Sequence, residues 1–257
     1  MGPMNILSVL ILAVLAPQER EIQTRTIEYK QGDAVLEGYL ASPKDAAGKL
    51  PGVLVFHEWK GHGSYVRQRA DQLARLGYAA FAADIYGKGV TAKDHVEAGK
   101  LAGMYKSDRA LLRARAKAAF DVLAANADPE RIAAMGYCFG GTCALELARS
   151  GAPLKAAASF HGDLSTPTPA DAKNIRGRVI VFNGADDPYV KEDSVLAFQK
   201  EMREGGVDWQ FVSFGGAVHS FTVKEAGGDP SKGAAYNEKA DLRSLEILQG
   251  FLAGALR

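Results

Sequence analysis

Cysteine, net charge and long apolar runs are all scarce in this chain, and each scarcity closes off a class of function. Two cysteines occur in 257 residues. Cys138 and Cys143 lie five positions apart, too close for a useful structural disulfide and wrongly spaced for a zinc knuckle, so two free thiols are expected, one of them in the core. Lys and Arg number 31 against 30 Asp and Glu, a formal net charge of +1. The two signs are interleaved, so no basic face is expected to draw the protein to nucleic acid or to an anionic membrane. No two of the five histidines stand at ligand spacing with a carboxylate or thiol alongside. That argues against a metal site, and no cofactor is expected. What is present is the apolar, glycine-rich composition of a packed globular chain. The expected partner is a small molecule; the oligomeric state is not legible.

The longest apolar run, Ile6 to Ala16, is too short to cross a bilayer. Its length suits the core of a secretory signal with Ala16 as the cleavage position, although no Lys or Arg precedes it and Pro17 follows directly. Residues 1–20 are therefore read as a leader, with secretion or a periplasmic location as the expectation and a retained N-terminal segment on a cytoplasmic protein as the alternative. Residues 21–257 are read as one domain, since no break in composition divides them.

Past the leader, IQTRTIEYK and AVLEGYLA alternate apolar and polar residues around Gln31, Gly32 and Asp33, which predicts an antiparallel hairpin. From Pro51 onward, short apolar runs alternate with amphipathic stretches. GVLVFH, YAAFAAD, RIAAMGY, LKAAASF, RVIVFNG and DWQFVSF are the candidate strands, with helices between them and a last helix near the C-terminus. Continuous apolar strands separated by helices mark a mostly parallel α/β sheet covered on both faces, whose ligands bind beyond the C-terminal ends of the strands.

The chemistry concentrates in three loops. Gly136-Tyr137-Cys138-Phe139-Gly140-Gly141 lies between the strand RIAAM and a helix, and glycines around the central residue let a strand turn sharply into a helix with that residue exposed at the elbow. A cysteine there gains from the helix N-terminus, and the N–H of Phe139 points where an oxyanion would form. An inert buried cysteine in a tight glycine turn would look the same in isolation. An elbow nucleophile of this kind is followed in the chain by an acid and then a histidine, each after a later strand. RVIVFNG runs into Asp186-Asp187-Pro188-Tyr189-Val190, and DWQFVSF runs into Gly215-Gly216-Ala217-Val218-His219-Ser220-Phe221. Either residue alone reads as a helix cap or a structural histidine. Three loops in the right order make coincidence a poor explanation.

With these motifs in place the chain resembles the dienelactone hydrolase family of α/β-hydrolases, over nearly its whole length from the hairpin to the last helix. The motifs carrying the likeness are GYCFGG with cysteine in the serine position, DDPYV and GGAVHSF. The resemblance implies an α/β-hydrolase fold with a mostly parallel central sheet, an N-terminal antiparallel hairpin and helices on both faces. It implies hydrolysis of a carboxylic ester or lactone by Cys138 as nucleophile, His219 as base and Asp187 as orienting acid through a thioester. Asp186 then becomes a neighbour and a candidate cap for the helix starting near Glu192. The same likeness gives Glu58 a role beside the nucleophile, holding the free thiol quiet until substrate arrives. It assigns the N–H groups of Trp59 and Phe139 to the oxyanion hole and puts Tyr86, in Asp84-Ile85-Tyr86, near the substrate. His161, closing the strand LKAAASF, is a candidate for the substrate wall. His57, His62 and His95 have no evident partner.

One departure bears on the substrate. The family's dienelactone hydrolases hold a substrate carboxylate with two arginines, one of them four residues past the histidine, where this chain has Val223. A valine supplies neither the charge nor the bidentate geometry. Lys224 would have to turn inward to compensate, and Arg109 and Arg113 sit on a helix whose reach the sequence does not fix. A neutral ester or lactone is the expected substrate. The competing readings are a cysteine peptidase or amidase, which needs an extended cleft that no segment marks, and a redox or binding protein in which Cys138 is oxidised rather than acylated.

Overall fold

The computed structural model describes residues 20–257, so the leader lies outside the described residues apart from Arg20. Strands β1 (Ile22–Gln31) and β2 (Ala34–Pro43) form the expected hairpin. The turn is tighter than expected: Gln31 is already paired with Ala34, leaving Gly32 at φ +58° and Asp33 as the two connecting residues. A positive φ at the first turn position is what a two-residue hairpin requires.

Six further strands follow: β3 (Pro51–Phe56), β4 (Ala79–Ala83), β5 (Asp128–Tyr137), β6 (Ala156–Phe160), β7 (Arg178–Gly184) and β8 (Trp209–Phe214). The sheet order is β1-β2-β4-β3-β5-β6-β7-β8. From β4 to β8 every pairing is parallel, whereas β2 meets both neighbours antiparallel. Parallel neighbours need long crossovers, which is why helices intervene. These are α1 (Ser64–Arg75), α2 (His95–Ser107), α3 (Arg109–Asn126), α4 (Phe139–Arg149), α5 (Glu192–Glu204) and α6 (Glu238–Ala255).

Alternation along the central strands sorts the core into two layers. Leu54 and Phe56 of β3, Ile132 and Ala134 of β5, and Val179 and Val181 of β7 face α2, α3, α4 and α5. Val53 and Val55, Ala133 and Met135, and Ile180 and Phe182 face α1 and α6. Both layers are closed to water, so the central strands read as unbroken apolar runs rather than alternating ones. Each fully buried Leu, Ile, Val or Phe contributes roughly 1.5–3 kcal/mol by leaving water.

The chain runs from β3 outward to β4, then returns to the other side of β3 as β5. That reversal separates the loops leaving β3 and β5 and opens a crevice between them, the usual binding place in such sheets. Phe56 is in register with Gly136, so Glu58 and Trp59 emerge beside Cys138.

Candidate active site

The turn from β5 into α4 is possible only with glycine in two places. A Cβ on Gly136 would lie 2.1 Å from the Gly140 carbonyl oxygen, and one on Gly140 would lie 2.3 Å from the Phe56 carbonyl oxygen. Without side chains there, α4 can begin against the end of β3, and Cys138 is forced to φ +52°, ψ −116°. For a residue other than glycine this is stored strain of about 1–3 kcal/mol, tolerated because the surrounding packing leaves no alternative. Cys138 N–H donates to the Phe160 carbonyl and Gly141 N–H to the Cys138 carbonyl, so the elbow is anchored on both sides.

His219 and Asp187 come from the loops after β8 and β7. Gly184 lets these loops close, since a Cβ there would lie 2.5 Å from the Ala217 carbonyl oxygen. Asp186 N–H donates to that same carbonyl, and Ala185 N–H to the Phe214 carbonyl. His219 Nδ1 is 2.8 Å from Asp187 Oδ2, and its Nε2 is 3.1 Å from Cys138 Sγ. Asp187 is itself held by the Tyr189 N–H at 2.8 Å on its other oxygen. Burial alone would push the His219 imidazole down, but the Cys138 sulfur and the Asp187 carboxylate outweigh it and hold the ring up at about 10. An imidazole so placed keeps its proton near neutrality and can lend it across the contact with sulfur.

Glu58 enters the same crevice. Burial pushes its carboxyl up to about 7, with the nearby His219 ring pulling the other way. In this arrangement the hydrogen bond of the Cys138 sulfur runs to His219; the expected contact between Glu58 and the resting thiol is not what holds it. The loop bearing Glu58 and Trp59 is fixed by two residues. His57 Nδ1 lies 2.6 Å from the Glu58 carbonyl oxygen while its Nε2 accepts from Ile85 N–H at 3.2 Å. Burial drives the His57 ring down to about 4, so it acts as a neutral strut. Tyr86 donates its hydroxyl to the Trp59 carbonyl at 2.9 Å and packs its ring against His57, Tyr105 and Phe139.

Three expectations need correcting. His161 does not form a substrate wall: its ring is fully buried behind His219, edge to face at 5.2 Å, with Nε2 2.9 Å from Thr222 Oγ1. Asp186 does not cap α5, whose N-cap is Lys191; its carboxylate accepts instead from Gly216 N–H at 2.9 Å, joining the acid loop to the histidine loop. His57 and His62 do have partners, His62 through the Ala82 carbonyl at 3.1 Å. His57 was discoverable, as a polar residue directly following an apolar strand.

Lys224 and Arg113 are engaged elsewhere. Val223 is buried, and Lys224 Nζ sits 5.8 Å from the centre of the Tyr236 ring. Arg113 pairs with Glu146 and Asp171 at 2.8 and 2.7 Å. Arg109 gives Nη2 to the Ser165 carbonyl at 3.2 Å, while its Nε and Nη1 are buried without a partner. Cys143 is buried, both thiols are free, and the described residues contain no group of three or more His, Cys, Asp or Glu able to hold a metal.

The model of the dienelactone hydrolase family matches residues 36–256. Among curated relatives, protein usf of Aquifex pyrophilus is 31% identical over 202 residues, covering 76% of this chain and 85% of the relative. A solved structure named m3DLH is 42% identical with a TM-score of 0.89, covering 92% of this chain and 99% of that one. The dienelactone hydrolase-like promiscuous phosphotriesterase P91 from metagenomic libraries is 38% identical with a TM-score of 0.86, at the same coverage.

Proposed function

The chain belongs to the dienelactone hydrolase family of α/β-hydrolases, and on that footing we propose that it cleaves small, uncharged carboxylic esters or lactones through a thioester on Cys138. What supports the reading above all is the unbroken line of hydrogen bonds from Asp187 through His219 to Cys138, at 2.8 and 3.1 Å.

The sulfur, its proton held by His219, attacks the carbonyl carbon. The negative charge that develops on oxygen is received by the N–H groups of Phe139 and Trp59, where one preorganised donor is worth about 3 kcal/mol. As the tetrahedral species collapses, the C–O bond breaks and His219 passes its proton to the departing alkoxide. Asp187 keeps the ring in the orientation that serves both steps. Water then attacks the thioester, giving its proton to the now neutral His219. Sulfur leaves with the electron pair of the C–S bond, the acid departs, and the pair of Cys138 and His219 is restored. Glu58, with a carboxyl that titrates near neutrality beside His219, adjusts the charge balance of that pair. Tyr86 serves by holding the Trp59 backbone in place.

The preference for neutral substrates follows from Val223 and from the engagement of Lys224 with Tyr236. A short chromogenic ester offered to wild type and to Cys138→Ala, with intact-mass analysis, tests the nucleophile: an acyl adduct on wild type alone supports it, and equal rates refute it. Pairing neutral esters with analogues carrying a neighbouring carboxylate tests the substrate class, since a preference for the anionic series would reveal a cation in the crevice. The likeness to P91 adds a phosphotriester to the same panel. The apolar run Ile6 to Ala16 supports export as the reading, and an intact Met1 on protein secreted by its native host would overturn it.

A further inference from the structure

Behind His219 lies a buried polar chain that the hydrolytic steps do not use. We infer that hydrogen bonds running in one direction from Arg69 through Tyr65 and Thr222 fix His161 as a neutral imidazole with its proton on Nδ1, and that in this form His161 is a positioning residue for His219.

The direction follows from what each group can give. A guanidinium has donors only. Arg69 Nε lies 3.2 Å from the Tyr65 hydroxyl oxygen, which therefore accepts. The Tyr65 proton then has two candidate acceptors on Thr222, Oγ1 at 2.6 Å and the carbonyl oxygen at 3.4 Å. The nearer is a full O–H···O bond, whereas the carbonyl, which also accepts from Arg69 Nη2 at 2.8 Å, is long for one. With Oγ1 accepting, the threonine proton is directed at His161 Nε2, 2.9 Å away. Nε2 must then present its lone pair, and a neutral ring with a lone pair on Nε2 carries hydrogen on Nδ1. Nδ1 is buried without a partner, so this tautomer leaves one N–H unsatisfied, a cost set against the bond that Nε2 accepts.

The ring has little freedom to adopt another state. His161 stands at φ +40°, with its N–H tied to the Phe182 carbonyl. It packs edge to face on Phe221 at 5.1 Å and on His219 at 5.2 Å, and lies 6.0 Å from the Tyr137 ring. The charged groups facing it oppose a proton: Arg69 from α1 and the His219 ring from the loop after β8, with Tyr65 and Tyr137 contributing no charge near neutrality. Asp241, from α6, is paired with Arg69 at 2.7 Å. Burial, first, and then these two cations push the His161 ring well below the ordinary histidine range. A neutral ring supports His219 sterically without setting a second positive charge against it. Thr222 is three residues beyond His219, so the same hydroxyl ties the loop carrying the base to the end of β6.

The positioning role rests on the pairing of Cys138 with His219 proposed above; the tautomer does not. Long-range proton–nitrogen spectra of the histidine rings read the tautomer directly, with His161→Gln identifying the signal. Wild type should show one neutral Nδ1–H species from about pH 5.5 to about 8.5. A proton on Nε2, or a cation within that range, overturns the inference. The role is read from the pH profile of Cys138 alkylation by iodoacetamide. Thr222→Val should mix the tautomers, displace the profile and slow alkylation at neutral pH on the order of tenfold, with Thr222→Ser restoring both. Should the valine variant fail to fold, Tyr65→Phe breaks the same chain one link earlier. An unchanged tautomer and profile in the altered protein would also overturn the inference. If wild type shows the expected tautomer and alkylation yet turns over no ester, the hydrolase reading fails and this one stands.

Discussion

The two ends of helix α4 make opposite use of burial. At its start, Cys138 is held at a positive φ, its sulfur has one partner in His219, and the Glu58 carboxyl nearby is pushed up to about 7 by its surroundings. At its end, Arg149 is fully buried and its charge is answered on every side. It forks onto both oxygens of Glu201 at 2.8 Å, takes Glu146 at 3.0 Å and the Leu164 carbonyl at 3.0 Å, while Arg113 covers the other oxygen of Glu146 at 2.8 Å. One end leaves polar groups incompletely balanced, and these are the groups able to change protonation during a reaction. The other satisfies every charge and so fixes the helix, and with it the elbow, in place.

The sharpest way to break this comparison is at the elbow. Cys138→Ala removes the reacting atom while leaving the buried cluster untouched. Hydrolysis should fall by at least ~10⁴-fold, while the unfolding free energy changes by less than about 1 kcal/mol. Residual turnover comparable with wild type, measured with a chromogenic ester and corrected for folded fraction, would separate the elbow from the chemistry altogether.

The opposite result is expected at the far end. Arg149→Met keeps much of the side-chain volume but leaves Glu146 and Glu201 buried with one guanidinium fewer, a change that costs about 3–5 kcal/mol when a buried pair loses one partner. Denaturant unfolding should record that loss, while kcat per folded molecule stays within about threefold of wild type. A variant as stable as wild type would mean that water or Arg113 takes over the role of Arg149.

This asymmetry also explains what could be read without coordinates. The elbow was legible because its requirements are local: Gly136 and Gly140 are needed by a turn that the neighbouring residues themselves define, and the acid and the histidine follow in fixed order after β7 and β8. The hairpin and the strand sequence were legible for the same reason, since each follows from a short run of residues. The buried cluster was not, because Arg149 and Glu201 are 52 positions apart and nothing in either segment announces the other. Thr222 and His161, 61 positions apart, escaped in the same way, and His161 was mistaken for a wall because a residue at a strand's end usually faces the crevice. Here its positive φ turns it back beneath His219. Asp186 was misread by a local rule that was outcompeted: an acid shortly before a helix is usually a cap, but the close approach of the two loops at Gly184 offered it the Gly216 N–H instead.

The smallest of the expected effects sharpens the contrast through pH. Glu58 titrates from 4.5 in the open chain to about 7 in the folded one, so the folded state holds this proton more tightly. Its contribution to stability is whole below about pH 4.5 and is lost as pH rises through about 7. His219, raised from 6.5 to about 10, acts in the same direction over a higher window, from about pH 6.5 to 10. Glu58→Gln cannot ionise and should abolish only the lower part of the decline. Between about pH 5 and 8 the variant should gain roughly 1–2 kcal/mol relative to wild type, a value reduced from the full shift because the carboxyl is partly open to solvent. Arg149→Met leaves Glu58 in place and should retain the part of the decline that Glu58→Gln removes. Parallel curves for wild type and Glu58→Gln across this interval would mean that the carboxyl at the start of the helix is as well satisfied as those at its end, and the distinction between the two ends would be lost.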